Sequence, residues 1–253
     1  SLIPCTALAA DTPPRREGWC GATGDEVHWA LTGSANNMTL TLAGKVFMDG
    51  IMADFAESEV QPWYYYRNEI TKVIIDTTAA PSERGQVTEI GSYAFSELKN
   101  LKEVTLTEGI TRIGDYAFQG CKSLPELVLP ESITDIGKGA FQGCDSMTQI
   151  TIPNATDDGE GILTEIKEDT FLGCAKLQTI KRKKASGYSP ILTYDKDYTF
   201  STVTKVGARA FKGCAALTAI KLPKVETIDA EAFYNCSALG TAELPKDGSV
   251  KKF

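Results

Sequence analysis

Ile113-Gly-Asp-Tyr-Ala-Phe-Gln-Gly-Cys121-Lys-Ser-Leu124-Pro-Glu-Leu127-Val-Leu129-Pro130-Glu-Ser-Ile133-Thr-Asp-Ile136 is followed by its own pattern. Gly137, Ala140, Phe141, Gly143 and Cys144 repeat Gly114, Ala117, Phe118, Gly120 and Cys121 at a spacing of 23 residues. A period in the twenties with apolar anchors at fixed offsets predicts a solenoid, in which each coil buries its apolar side against the next. Phe95, Phe118, Phe141, Phe171, Phe211 and Phe233 mark six coils. The residue three past each Phe is Leu98, Cys121, Cys144, Cys174, Cys214 and Cys236.

Each coil carries two periodicities. Ala117, Phe118, Cys121 and Leu124 stand at i, i+1, i+4 and i+7, a spacing that predicts one side of a short helical segment. Leu127 and Leu129 alternate with outward residues as a strand does. Pro130, with no N–H for a ladder, ends that strand. Gly114 and Gly137 fall where the chain turns into the next segment, a place that suits a permissive backbone.

The net charge of −7 and the pI near 4.9 argue against nucleic acid as a partner, because its phosphates would be repelled. No apolar run is long enough to form a transmembrane segment. Residues 1–10 read as a signal-peptide remnant, with Ala7-Leu8-Ala9 in the place of a small-residue cleavage site. Cys121, Cys144, Cys174, Cys214 and Cys236 share one repeat position. Coils about 4.8 Å apart hold Cβ atoms slightly too far apart for a disulfide. The five are therefore expected to be small buried fillers, with neither C-x-x-C spacing nor histidine partners for a metal.

Residues 19 to 75 do not repeat. Trp19, Trp29-Ala-Leu31, Leu40-Thr-Leu42 and Pro62-Trp63-Tyr-Tyr-Tyr66 alternate apolar with polar residues and are rich in aromatics. The expected organisation is an N-terminal β-rich cap with a first half-coil over 11–85 and the solenoid over 86–253. The cap is needed because a solenoid end exposes core. Ile70, Val73 and Ile75 are expected to match Leu101, Val104 and Leu106 of the next coil.

The repeat Ile-Gly-x-x-Ala-Phe-x-Gly-Cys-x-x-Leu-x-x-Ile-x-Leu-Pro resembles the BspA-like leucine-rich-repeat family of bacterial surface proteins. The segment from Cys20-Gly to Pro62-Trp63-Tyr64 is similar to the N-terminal cap often found with it. The resemblance implies a secreted or surface-displayed bacterial protein with members implicated in adhesion to host matrix or other cells. It carries over no binding residues, since the family has no shared site motif.

Coil lengths add what the resemblance does not. Phe141 to Phe171 is 30 residues and Phe171 to Phe211 is 40, against 23 for the basic coil, and a further surplus lies between Val73 and Ile90. All three insertions follow a strand and precede an Ile-Gly-type turn, so they should emerge along one edge, where repeat proteins often bind. The insertion around Asn154–Gly161 is acidic. The longest begins Lys181-Arg182-Lys183-Lys184 and continues through Tyr188, Tyr194, Tyr198 and Phe200, with two alternating runs flanking Asp195-Lys-Asp197 that predict a hairpin. From Lys176 to Lys205 there are seven basic and two acidic residues. Such a basic, tyrosine-bearing hairpin on an acidic protein is a candidate site for an anionic partner. Mutual neutralisation of the acidic and basic insertions is the competing reading. The outward strand residues Thr105, Val128, Thr151, Lys181, Lys221 and Glu243 form no run of one charge. Val250 and Phe253 are expected to take the slots of Ile133 and Ile136.

His28 is the only histidine, and neither a nucleophile–base arrangement nor paired carboxylates gather around it. The glycines repeat with the coil rather than cradle a phosphate. The sequence thus reads as an α/β fold, a right-handed leucine-rich-repeat solenoid of about six strand-plus-short-helix coils behind a β-rich cap. It points to non-catalytic protein or glycan recognition without a cofactor. A structural spacer is the runner-up, and an enzyme the third reading.

Overall fold

A computed structural model describes residues 15–24, 26–44, 50–57, 60–75, 86–153, 163–183, 194–195, 200, 202–246 and 250–252. The signal-like residues 1–10 with Cys5, most of all three insertions, and Phe253 lie outside them. The strands in chain order are β1 (Glu17–Trp19), β2 (Val27–Ser34), β3 (Asn37–Gly44), β4 (Gly50–Ile51), β5 (Ile70–Ile75), β6 (Val87–Ile90), β7 (Glu103–Thr105), β8 (Arg112–Ile113), β9 (Glu126–Val128), β10 (Asp135–Ile136), β11 (Gln149–Ile152), β12 (Glu165–Ile166), β13 (Thr179–Lys183), β14 (Tyr194–Asp195), β15 (Lys205–Val206), β16 (Ala219–Lys221), β17 (Thr227–Ile228), β18 (Thr241–Glu243) and β19 (Lys251–Lys252).

Each coil contributes two strands to parallel stacks. On one face Val73 pairs with Val104, Leu127 with Ile150, Ile150 with Ile180, and Ile220 with Ala242. On the other Ile90 pairs with Ile113, Ile113 with Ile136, Ile166 with Val206, and Val206 with Ile228. Equal repeat positions thus meet at equal heights, and the expected match of Val73 to Val104 is realised. The last register differs from the sequence reading: β19 sets Lys252, one residue before Phe253, opposite Ile228.

The segment predicted to be helical is a run of turns, so the α half of the α/β expectation is corrected. Among the described residues the one helical element is the 3₁₀ turn Tyr64–Tyr66. The cause is backbone sign. Two residues four apart take left-handed φ in every coil: Tyr93 and Glu97, Tyr116 and Gly120, Gly139 and Gly143, Asp169 and Gly173, Arg209 and Gly213, Glu231 and Asn235. An α-helix of L-residues does not accommodate that sign. The N–H groups of Tyr116, Phe118 and Gly120 instead donate to the Lys138, Ala140 and Gln142 carbonyls of the next coil, each at 2.8 Å. Those of Ala117, Gln119 and Cys121 close turns onto Gly114, Tyr116 and Phe118. Alternate amides therefore bond between coils and within them, and the side chains at i, i+1, i+4 and i+7 are buried as a helix would bury them.

This ladder runs one way, from each coil to its C-terminal neighbour. In the first coil the corresponding acceptors are met by the N-terminal unit: Phe55 N–H donates to Ser92 O (2.9 Å) and Trp63 Nε1 to Ala94 O (3.1 Å). The Trp63 ring lies 6.0 Å from Phe95 and 5.8 Å from Trp29. Antiparallel β1, β2 and β3 run on into the solenoid because β3 pairs in parallel with β5.

Phe118, Phe141, Phe171, Phe211 and Phe233 form a continuous ring stack, with successive centroids 5.2 to 5.8 Å apart. Beside it each thiol donates to a carbonyl of the preceding coil. Cys121, Cys144 and Cys214 Sγ lie 3.2 Å from Phe95, Phe118 and Phe171 O, with Cys174 Sγ 3.1 Å from Phe141 O. The cysteines are fillers that also tie coil to coil.

The turn glycines serve two different needs. Gly114, Gly137 and Gly207 do not have left-handed φ; a Cβ on Gly137 would lie 2.5 Å from both the Asp115 nitrogen and the Gly114 carbonyl carbon. Close backbone approach, rather than conformational permissiveness, therefore selects glycine there. Gly143 is the opposite case: φ is +69°, and a Cβ would meet nothing nearer than 3.9 Å. Gly137→Ala should cost about 3 kcal/mol, at the upper end of overpacking penalties, because two hydrogen-bonded backbones must part. Gly143→Ala should cost about 1–2 kcal/mol from backbone sign alone. Urea denaturation of both variants checks the order, and equal costs would contradict it.

Candidate functional site

β13 is the strand from which the longest insertion departs. It outruns β9 and β11, continuing through Lys181 and Arg182 to Lys183. The insertion then returns as β14, antiparallel to β13, with Arg182 opposite Asp195 and Lys183 opposite Tyr194. This pairing differs from the hairpin expected around Asp195-Lys-Asp197, because Asp195 stands in a strand opposite Arg182 rather than in a turn. It brings Lys181, Arg182, Lys183 and Tyr194 onto two adjacent strands; Lys184, Tyr188 and Tyr198 lie outside the described residues. The insertions depart after Ile75, Ile152 and Lys183, all at C-terminal ends of parallel strands on one face.

Two features of this region are absent from the sequence reading. Thr151, expected to face outward, is fully buried, and its hydroxyl has no hydrogen-bond partner among the described residues. Phe200, read as the last residue of the longest insertion, is also buried, with its ring 6.4 Å from Phe211. Its N–H donates to Lys221 O at 2.9 Å, and Thr202 Oγ1 donates to Leu163 O at 2.7 Å. The return limb is therefore fastened into the core. The available signal was spacing, because Phe200 stands three before Val203 as Leu222 stands three before Val225.

Elsewhere charge is largely matched. Arg209 forms a fork with Asp169, through Nε at 2.8 Å and Nη2 at 2.8 Å, and its Nη2 also reaches Glu168 at 2.6 Å. The Asp169 hydrogen bonds push the Arg209 pKa up. Lys138 pairs with Glu168 at 2.8 Å and Lys205 with Glu165 at 2.9 Å, and each contact raises the lysine pKa. Arg112 lies among Glu89, Asp54 and Asp135. These partly exposed pairs fix the coil edges more than they add stability.

His28 packs edge-on against Trp19, with centroids 5.0 Å apart. Among the described residues no group of three or more His, Cys, Asp or Glu side chains could hold a metal ion. Burial pushes the Cys121 and Cys214 thiols up. Cys144 is raised by its hydrogen bond with Cys174 and by burial. A protonated, buried thiol is a poor nucleophile. Such chemistry suits packing.

Residues 63–188 and 196–253 match the family model described as the BspA type leucine rich repeat region, in six copies. Solved structures similar to the chain include the leucine-rich-repeat protein of T. pallidum, at 19% identity over 75% of this chain and 86% of that one, with a TM-score of 0.40. A leucine-rich-repeat protein from Eubacterium ventriosum is similar at 19% identity over 87% of this chain and 71% of that one, with a TM-score of 0.43. The pneumococcal vaccine antigen PcpA shares 14% identity over 89% of this chain and 70% of that one, with a TM-score of 0.34. No curated protein matches. Among the described residues no helix is long and apolar enough to cross a membrane.

Proposed function

The chain belongs to the BspA-type leucine-rich-repeat family, and from that premise we propose that it is a non-catalytic recognition module of a secreted or surface-displayed bacterial protein. Residues 11–85 act as the cap and first half-coil, residues 86–253 as the solenoid that presents the insertions, and residues 1–10 as what remains of a signal peptide. Its ligand is a protein or glycan of a host or neighbouring cell, and its role is adhesion. The observation that supports this reading is the anchored hairpin. Lys181, Arg182 and Lys183 extend a strand that is paired on both sides, and the return limb is fastened by Phe200. A basic surface held on a rigid element binds with little ordering cost. Lys184, Tyr188, Tyr194 and Tyr198 complete the proposed surface.

Replacing Lys181, Arg182, Lys183 and Lys184 together by Ser should weaken saturable binding to immobilised host matrix proteins at least tenfold. The salt dependence should also flatten, as expected when four cations leave an interface. The second reading, a spacer, draws on the continuous inter-coil amide ladder, which makes the array a stiff rod. A spacer would bind none of these proteins saturably, with or without the four substitutions.

A further inference from the structure

Tyr64 and Tyr65 belong to the five large apolar side chains that stay exposed among the described residues, and Tyr65 is the most exposed of them at 67%. They sit on the 3₁₀ turn, which is immobilised from beneath. Trp63 is fully buried and bonded to Ala94 O, and Gln61 Nε2 donates to Tyr93 O at 2.6 Å. The turn closes through Tyr64 N–H to Gln61 O, Tyr66 N–H to Trp63 O and Arg67 N–H to Tyr64 O.

Two guanidinium groups flank the tyrosines. Arg67 lies 3.9 Å over the Tyr64 ring and donates from Nη1 to Tyr64 O. Arg16 lies 5.8 Å from the Tyr66 ring and donates from Nη1 to Gly33 O. Tyr65 packs edge-on against the buried Tyr66 at 5.1 Å, so the exposed tyrosines lie between Arg16, set over Tyr66, and Arg67, set over Tyr64. Arg112 and Arg209 each have carboxylate partners, whereas neither Arg16 nor Arg67 forms an ion pair among the described residues. Neighbouring Glu17 and Glu69 form none either.

We propose that this patch is a binding site for a uronate-containing polysaccharide. The faces of sugar rings carry C–H groups that stack on an exposed, rigid phenol. A planar guanidinium with free donors takes a carboxylate in a bidentate geometry. A guanidinium at each end of a run of rings matches uronates spaced by neutral sugar in the alternation of such a chain. Ring stacking on Arg67 holds its side chain in place and lowers the ordering cost of binding. This inference rests on the recognition reading but uses a different surface from the basic hairpin.

The probe is immobilised hyaluronan, with dextran as the neutral polysaccharide and sialyllactose as a carboxylated sugar that lacks the alternation. The full chain should bind hyaluronan saturably and dextran not at all. Tyr65→Ala and Arg67→Gln should each weaken hyaluronan binding about tenfold while leaving the melting temperature unchanged, since both side chains are at the surface. The fourfold Ser variant of residues 181–184 should retain the binding, which separates this site from the hairpin. Equal affinity for dextran, binding to sialyllactose alone, or loss of binding in the hairpin variant but not in Tyr65→Ala would each overturn the assignment.

Discussion

Raising the pH from 8 to 10.5 should remove about 8 kcal/mol of folding stability, enough to unfold many domains of this size outright. The origin is the thiol ladder. Burial raises the pKa values of Cys121 and Cys214, and the Cys174 hydrogen bond followed by burial raises that of Cys144. In the unfolded chain the same thiols titrate near 8.5. Above that value the unfolded state gives up protons that the folded state keeps, so it binds fewer and stability falls as pH rises. Each thiol contributes about 1.4 kcal/mol per pH unit, and three give about 4 kcal/mol per unit above pH 9.5. Tyr93 and Tyr116 are raised by burial, and Lys138 and Lys205 by their carboxylate partners, so all four add the same sign at still higher pH. Urea denaturation under reducing conditions at pH 8, 9, 9.5 and 10 measures the slope. The triple variant Cys121→Ala, Cys144→Ala, Cys214→Ala should be much flatter between pH 8.5 and 10, keeping only the contribution of Cys236, whose half-buried thiol is also raised by burial. A wild-type protein equally flat over that range would show that the thiols reach solvent in the folded state.

That ladder was legible in the sequence as position but not as chemistry. Five cysteines at one offset say that the slot faces inward, whereas their hydrogen bonds to the phenylalanine carbonyls depend on where the preceding coil sits. The helix error has the same character. Residues buried at i, i+1, i+4 and i+7 satisfy a helix and this turn ladder equally well, and the deciding fact is a left-handed residue at Tyr116, Asp169 or Arg209. Tyr and Arg do not advertise that conformation, since the usual occupants are Gly, Asn and Asp. Gly137 misleads in the other direction, because its role lies in the distance to another coil. In the candidate site alternation puts a turn at Asp195, which instead pairs with Arg182 because the coil's own strand β13 runs on to meet it. The anchor Phe200 could be read from spacing. Thr151 could not, since its burial depends on what lies over the strand. The Tyr64–Arg67 patch is visible in sequence only as aromatic composition. Which of four consecutive aromatics is buried, Trp63 and Tyr66 rather than Tyr64 and Tyr65, follows from the turn that carries them.

Phe141→Ala should cost about 4–5 kcal/mol, the upper part of the range for deleting a buried aromatic. The ring is fully buried between those of Phe118 and Phe171, at 5.8 Å and 5.5 Å. How far a cavity costs its full penalty depends on whether the surroundings can close over it. Here they are held apart. The coil bearing Phe141 is tied to the next by Gly139, Phe141 and Gly143 N–H, donating at 3.0, 3.0 and 2.8 Å. It is tied to the previous coil by the matching row from Tyr116, Phe118 and Gly120. Collapse onto the void would break these bonds in the interior, where an unmet amide costs about 1–3 kcal/mol. Phe233→Ala is the natural comparison. That ring stacks on Phe211 at 5.3 Å but is only partly buried, so its loss leaves a groove that water can enter. It should cost less than half as much. In a one-dimensional array each coil is stabilised by its two neighbours, so the interior substitution also uncouples the coils on either side. Its denaturation curve should therefore broaden or split, whereas that of Phe233→Ala should stay single. Equal costs at the two positions, with single sharp transitions in both, would mean that the stack is not what couples the coils.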